Sequence, residues 1–250
     1  MAENVEIVEK DGVKIARPKE DSVLPLEQLL RRAGIPPAFA DRSFHNFMVN
    51  SKYPSLFRAR RAVQKYAELY PAVEGGLLIM GPTGVGKTHL AVALCKELLK
   101  KGVDCVFLDF RDSLKEYTSF SNQDKREDYL FYLVGVEVLV WDDFASRPIS
   151  EWEEDFVYRL IDKRYREGRA LILTTVHAEE PEGPGEEEAQ EKISLPRRKS
   201  TLEEIIGVRL RSRLYEMCTE IYIDAPDYRS RVRRLSYRTG GEIAEEKGKD

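Results

Sequence analysis

From Gly76 onward, short apolar runs alternate with segments whose apolar residues recur at helical spacing. Strands are expected at 77–80, 103–109, 136–141, 170–175 and 221–223, and helices near 88–100, 111–117, 125–133, 151–167 and 208–217. That alternation predicts a doubly wound parallel sheet. Ahead of it, Val5, Ile7, Val13 and Ile15 alternate with polar residues on either side of Asp11-Gly12, the pattern of a hairpin with a two-residue turn. Pro25 and Gly34 bracket a short helix whose Leu26, Leu29, Leu30 and Ala33 form one apolar stripe, read as packing on the chain's own core rather than on a partner. Ile35-Pro36-Pro37 leads into Ser43-Phe44-His45-Asn46-Phe47, and a helix over 55–70 carries Arg58, Arg60, Arg61 and Lys65 on its polar side.

The pattern divides the chain into a hairpin and helix over 1–34, a main α/β domain over 35–239 and a polar tail over 240–250, expected to be disordered. Within the main domain, 179–200 has acid clusters, prolines and no periodicity, and is expected to be a mobile insertion. The formal net charge of −4 does not announce a nucleic-acid partner. Yet seven acids and no base fall within 179–191, which leaves the rest of the chain net positive. Cys95, Cys105 and Cys218 are too scattered for a disulfide framework or a zinc site and read as reduced core residues. No apolar run approaches membrane-spanning length and the N-terminus does not read as a signal peptide, so a cytoplasmic protein with no membrane partner is expected.

Gly81-Pro82-Thr83-Gly84-Val85-Gly86-Lys87-Thr88, between an expected strand and an expected helix, matches GxxxxGK[ST] in full. The glycines let backbone N–H groups turn inward onto phosphate oxygens, and the following helix aims its positive end at the same place. Lys87 is expected to reach the β- and γ-phosphates and Thr88 to hold Mg²⁺, so the chain is expected to bind ATP. His89 completes the expected cofactor-binding segment. The apolar strand ending in Trp141-Asp142-Asp143 puts carboxylates at the edge where such sheets bind ligands. Asp142 is expected to hold the metal with Thr88, and Asp143 to polarise an attacking water. Thr175, ending the strand Leu171-Ile172-Leu173-Thr174-Thr175, serves equally as a contact to the γ-phosphate or as an ordinary β-branched strand end. Arg209, Arg211 and Arg213 share one expected helix, either as a solvated face or as arginines offered to a neighbouring subunit. A further basic stretch at Arg229, Arg231, Arg233, Arg234 and Arg238 suits a phosphate backbone or plain solvent.

Between about Gly34 and Arg238 the chain resembles the DnaC/IstB family of AAA+ ATPases, the bacterial helicase loaders and transposition helpers. The resemblance rests on Gly34-Ile35-Pro36-Pro37 with Phe44-His45-Asn46-Phe47, on Gly81 to Leu90, on Leu139 to Phe144, and on Gly207-Val208-Arg209-Leu210-Arg211-Ser212-Arg213-Leu214-Tyr215-Glu216-Met217. It implies a P-loop fold of AAA+ type, with a five-stranded, mostly parallel sheet flanked by helices. It also implies catalytic roles for Lys87, Asp143, Thr175 and Arg213, the last acting as a finger in trans, and self-association through nucleotide-bridged interfaces. The implied activity is ATP hydrolysis by an assembly on single-stranded DNA that helps load a replicative helicase. A transposase helper and a nucleotide-gated binding module are the alternatives. Lys115 and Tyr117, near the family's extra helical element, are the candidate DNA contacts. Val176 and His177 stand where the family usually has Asn, which implies slow hydrolysis or a substitute role for His177.

Overall fold

The computed structural model describes residues 24–177 and 201–229 in full, and 5–10 and 13–18 as backbone. The expected insertion at 179–200, the tail at 240–250, the Asp11-Gly12 turn and Arg231 to Arg238 lie outside the described residues.

At the N-terminus, β1 (Val5–Lys10) and β2 (Val13–Pro18) pair antiparallel with Lys10 opposite Val13, as the alternation predicts. Helix α1 (Leu26–Arg32) buries Leu30 and Ala33 and leaves Leu26 exposed, so the stripe packs on the chain's own core over its C-terminal half. Gly34, at φ 78°, then turns the chain against the sheet edge: Phe107 N–H donates to Ala33 O at 2.7 Å.

The main sheet contains β3 (Gly76–Met80), β4 (Cys105–Asp109), β5 (Val138–Asp142), β6 (Ala170–Thr175) and β7 (Cys218–Tyr222), in the order β4-β5-β6-β3-β7. Every neighbouring pair is parallel, so the expected mostly parallel sheet is parallel throughout. Because side chains alternate between faces, Leu77, Ile79, Val140, Ile172 and Ile221 pack under α2 (Pro54–Leu69) and α3 (Lys87–Lys100). Leu78, Met80, Leu139, Trp141, Leu171 and Leu173 pack under α4 (Phe110–Ser119), α5 (Gln123–Gly135), α6 (Glu151–Arg166) and α7 (Leu202–Met217) on the other face.

Local chemistry sets the helix starts. Asp109 caps α4 by accepting from the N–H groups of Arg111 and Asp112. Ser150 with Glu153, and Thr201 with Glu204, form capping boxes for α6 and α7. Gly207, at φ 76° and ψ 157°, breaks α7 after its first turns. All three cysteines are buried and unpaired, as their apolar contexts predict. Among the described residues no helix is long and apolar enough to cross a membrane.

Candidate nucleotide site

The order of the strands puts the P-loop strand β3 in the interior of the sheet, with β6 between it and β5. The loops leaving β3, β5 and β6 therefore open side by side at one edge, the place where open parallel sheets bind ligands.

The P-loop needs its glycines here for close approach as well as for backbone conformation. A Cβ on Gly84 (φ 80°) would lie 1.9 Å from Asp227 Oδ1, and one on Gly86 (φ 99°) 2.6 Å from the Phe47 ring. Both neighbours belong to segments that brace the loop. Tyr228 N–H donates to Gly84 O at 3.1 Å, while Tyr228 Oη lies 2.9 Å from Met48 Sδ. On the other side, His89 Nε2 lies 2.9 Å from Ser43 O and its ring meets Phe47 edge-on at 5.2 Å. Burial lowers the His89 pKa, which favours the neutral ring. The structure thus turns His89 toward the 43–47 segment that lies against the P-loop.

Lys87 is buried and its Nζ donates to Gly81 O and Pro82 O, both at 2.8 Å. Thr88 Oγ1 donates toward the Asp142 carboxylate, 2.9 Å from Oδ1 and 3.0 Å from Oδ2. Thr88 and Asp142, the two residues expected to hold the metal, are thus adjacent. Asp142 is only 7% exposed, and its pKa is raised first by burial and further by the nearby Asp143 and Asp109, against hydroxyl contacts that lower it. A buried carboxylate held by hydroxyls, with more acids beside it, is a donor set that fits a divalent cation. Among the described residues no group of three or more His, Cys, Asp and Glu side chains could hold a metal alone. Such a cation would complete its shell with water and phosphate oxygens, as Mg²⁺ commonly does.

Thr174, rather than Thr175, touches this centre. Its hydroxyl donates to Asp142 Oδ1 at 2.5 Å and accepts from the Asp143 N–H at 2.9 Å, while its carbonyl accepts from Phe144 N–H at 2.8 Å. These bonds hold Asp143 in the left-handed region at φ 55°, a conformation uncommon outside glycine and found where a site is over-determined. Thr175 is fully buried, and its Oγ1 accepts from the His177 N–H at 3.2 Å. Sequence inspection missed Thr174 because only the register distinguishes it. Trp141 pairs with Leu173, so the next residues, Asp142 and Thr174, point to one face and Thr175 to the other.

Two expectations about orientation are corrected. Tyr117, a candidate DNA contact, is 5% exposed and stacks on Phe156 at 4.2 Å between ring centroids, so it belongs to the core. Lys115 is exposed, ion-paired to Asp112 at 3.0 Å. Arg213, read as part of a solvated face or as an arginine offered to a neighbouring subunit, turns into α6, where its Nη2 lies 2.8 Å from Asp162 Oδ1. Arg209 is exposed. The contact surface of α6 with α7 explains the difference: burying Leu210, Leu214 and Met217 against the sheet carries Arg213 onto α6.

The sheet order, the phosphate loop and the facing carboxylate define a P-loop nucleotide-binding protein of the AAA+ class. Solved structures of this fold that the chain resembles include the crystal structure of the DnaC helicase loader, at TM-score 0.61 and 26% identity over 76% of this chain and 100% of that one. AMPPCP-bound DnaA from Aquifex aeolicus matches at TM-score 0.57 and 17% identity, over 79% of this chain and 55% of that one. The chain belongs to the family described as IstB-like ATP binding protein, whose model matches residues 28–180. The replicative helicase loader DnaC of Escherichia coli (strain K12) is 27% identical over 167 residues, 65% of this chain and 66% of that protein. This chain therefore spans just under two thirds of that relative. The insertion sequence IS232 putative ATP-binding protein of Bacillus thuringiensis subsp. berliner is 32% identical over 99 residues, 40% of this chain and 39% of that protein.

Proposed function

We propose that this chain binds Mg·ATP at Lys87, Thr88 and Asp142 and hydrolyses it to ADP and phosphate when a second copy completes the site. Assembled on single-stranded DNA in the cytoplasm, it helps load a replicative helicase. The observation that carries the reading is the contact of Thr88 Oγ1 with the buried Asp142 carboxylate beside the P-loop lysine. In this reading Lys87 exchanges the two loop carbonyls for β- and γ-phosphate oxygens. A Mg²⁺ at Thr88 and Asp142 would supply neutralisation of phosphate charge. Asp143, fixed by Thr174, takes a proton from the attacking water, the general-base role. Thr174 supplies the strand-end hydroxyl at this centre, and Arg213 from another copy meets the charge on the transferring phosphoryl.

Arg213 supports a role in trans because α7 packs on the face of the sheet opposite α3, which carries Lys87 and Thr88. The helicase is the partner favoured by the similarity to DnaC over most of the AAA+ region. A transposase as partner is the second reading, favoured by the IstB-like family match and by the insertion-sequence relative.

The direct test of the nucleotide site is Lys87→Ala, expected to abolish ATP binding while unfolding at the parent's temperature. Unchanged ATP affinity would overturn the assignment. Steady-state ATP turnover with and without a homopolymer single strand at low salt tests the DNA part. Turnover that ignores DNA, together with no measurable binding, rejects it. Capture from the source cell with helicase-specific and transposase-specific probes separates the two partners.

A further inference from the structure

The Arg213 guanidinium is engaged on α6 rather than turned outward. Nη2 lies 2.8 Å from Asp162 Oδ1, and Nη1 is sealed from solvent without a geometric hydrogen-bond partner among the described residues. The guanidinium sits over the Tyr158 ring, 5.1 Å from its centroid. One turn further along both helices, the Tyr165 hydroxyl donates to Glu216 Oε1 at 2.6 Å and holds α6 to α7. A finger that stabilises a phosphoryl group on another subunit must present those amines to its oxygens. In the arrangement seen here it cannot.

We propose that Asp162 and Tyr158 form a latch that stows Arg213 in the unassembled subunit, and that a neighbour's triphosphate releases it by competing with the Asp162 carboxylate. The inference rests on Arg213 being the finger of the proposed ATPase. Three features fit a latch rather than a fixed structural pair. Asp162 has a second cation, with Arg166 Nε 3.0 Å from its Oδ2, so it keeps a partner after Arg213 leaves. Its carboxylate is a weaker attractor than a γ-phosphate, which carries more charge on the same kind of oxygen, so ATP releases the finger more readily than ADP. Finally, Arg213 retains some exposure whereas Asp162 is buried, so the arginine can swing out while its holder stays in place.

The latch lowers the fraction of subunits competent to complete a neighbour's site, and the apparent assembly affinity falls by that fraction. Asp162→Asn keeps the shape and an acceptor for Arg166 but removes the charge that holds Arg213. It is expected to lower the protein concentration for half-maximal ATP turnover about fivefold, the scale of a partly exposed ion pair. Turnover at saturating protein should stay within about twofold of the parent. Tyr158→Leu, which removes the ring and leaves the ion pair, should lower the same concentration about twofold. Asp162→Asn turnover as low as that of Arg213→Ala would mean that Asp162 orients a finger already in use. An unchanged concentration dependence would also overturn the latch. If Asp162→Asn fails to fold, the Tyr158→Leu result decides. Arg213→Ala run alongside separates the two ideas: parental turnover there rejects the finger itself, whereas loss there with no shift in Asp162→Asn rejects only the latch.

Discussion

Arg164 and Asp142 are both charged groups taken out of water, one beneath the N-terminal edge of the sheet and the other at its C-terminal edge. Arg164 is fully buried, and its guanidinium donates to five carbonyls, those of Leu133, Val134, Val136, Glu137 and Ala170, at 2.5 to 3.2 Å. It ties together the C-terminal end of α5 and the entries to β5 and β6. Helix ends leave such carbonyls without partners and carry partial negative charge. Burial draws its pKa down to about 10, which still leaves it charged at neutral pH. Asp142, by contrast, has among the described residues only the Thr88 and Thr174 hydroxyls, and burial raises its pKa. The fold supplies the compensation for the arginine. For the carboxylate it leaves that compensation to a ligand, the mark of a group kept for function rather than for stability.

Removing the finger should have the largest effect. Arg213→Ala is expected to bind ATP as the parent does and to lose about 10³–10⁵ in turnover at saturating protein. Mixing it with Asp143→Asn should restore part of the activity at interfaces that join one intact arginine to one intact acid. No restoration would place both groups in a single subunit's site.

Arg164→Met sharpens the comparison from the structural side. It strips five carbonyls, four of them in buried contacts, of this donor and is expected to cost about 3–5 kcal/mol, read from urea unfolding at pH 7. ATP affinity of the folded fraction should not change. A loss under about 1 kcal/mol would show that water replaces the guanidinium and that its burial is not structural.

A third buried charge, Glu153, lies between these cases and should give a smaller effect. Arg147, at 2.5 Å, is the main cause of its pKa falling to about 2, helped by the Ser150 cap. Because the folded value lies below the ordinary 4.5, the stabilisation is present above that pH and is lost as the pH falls toward 2. Glu153→Gln should cost about 1–2 kcal/mol at pH 7, and the difference from the parent should shrink through that window. A difference that does not change with pH would mean that the amide and carboxylate cap α6 equally well.

How much of this was legible in the sequence depends on the range of the interactions. The P-loop and Asp142 are read from contiguous motifs because strand, turn and helix follow one another in the chain. Thr174 is not, because only the β5–β6 register shows which of two adjacent threonines shares a face with Asp142. Arg164 is one of several basic residues between Lys163 and Arg169, and its role exists only where three elements meet. Tyr117 has the composition of a surface aromatic but is claimed by Phe156 across the α4–α6 contact. The last strand was expected at 221–223 and runs Cys218–Tyr222. At the sheet edge, its Thr219 and Glu220 stay exposed and hide the apolar pattern.

Asp142 is held out of water for a ligand at the fold's own expense, and Asp142→Asn tests this most directly. Since the folded pKa is raised, the native state favours the protonated form, and the ionised carboxylate lowers stability as pH rises above the ordinary carboxylate range. Thermal unfolding at pH 7 should therefore show the ligand-free Asp142→Asn protein at least as stable as the parent, with the gain on the order of 1 kcal/mol. Adding Mg·ATP should raise the parent's melting temperature by several degrees and the variant's by much less. A variant less stable than the parent without ligand, or one stabilised equally by Mg·ATP, would contradict the account.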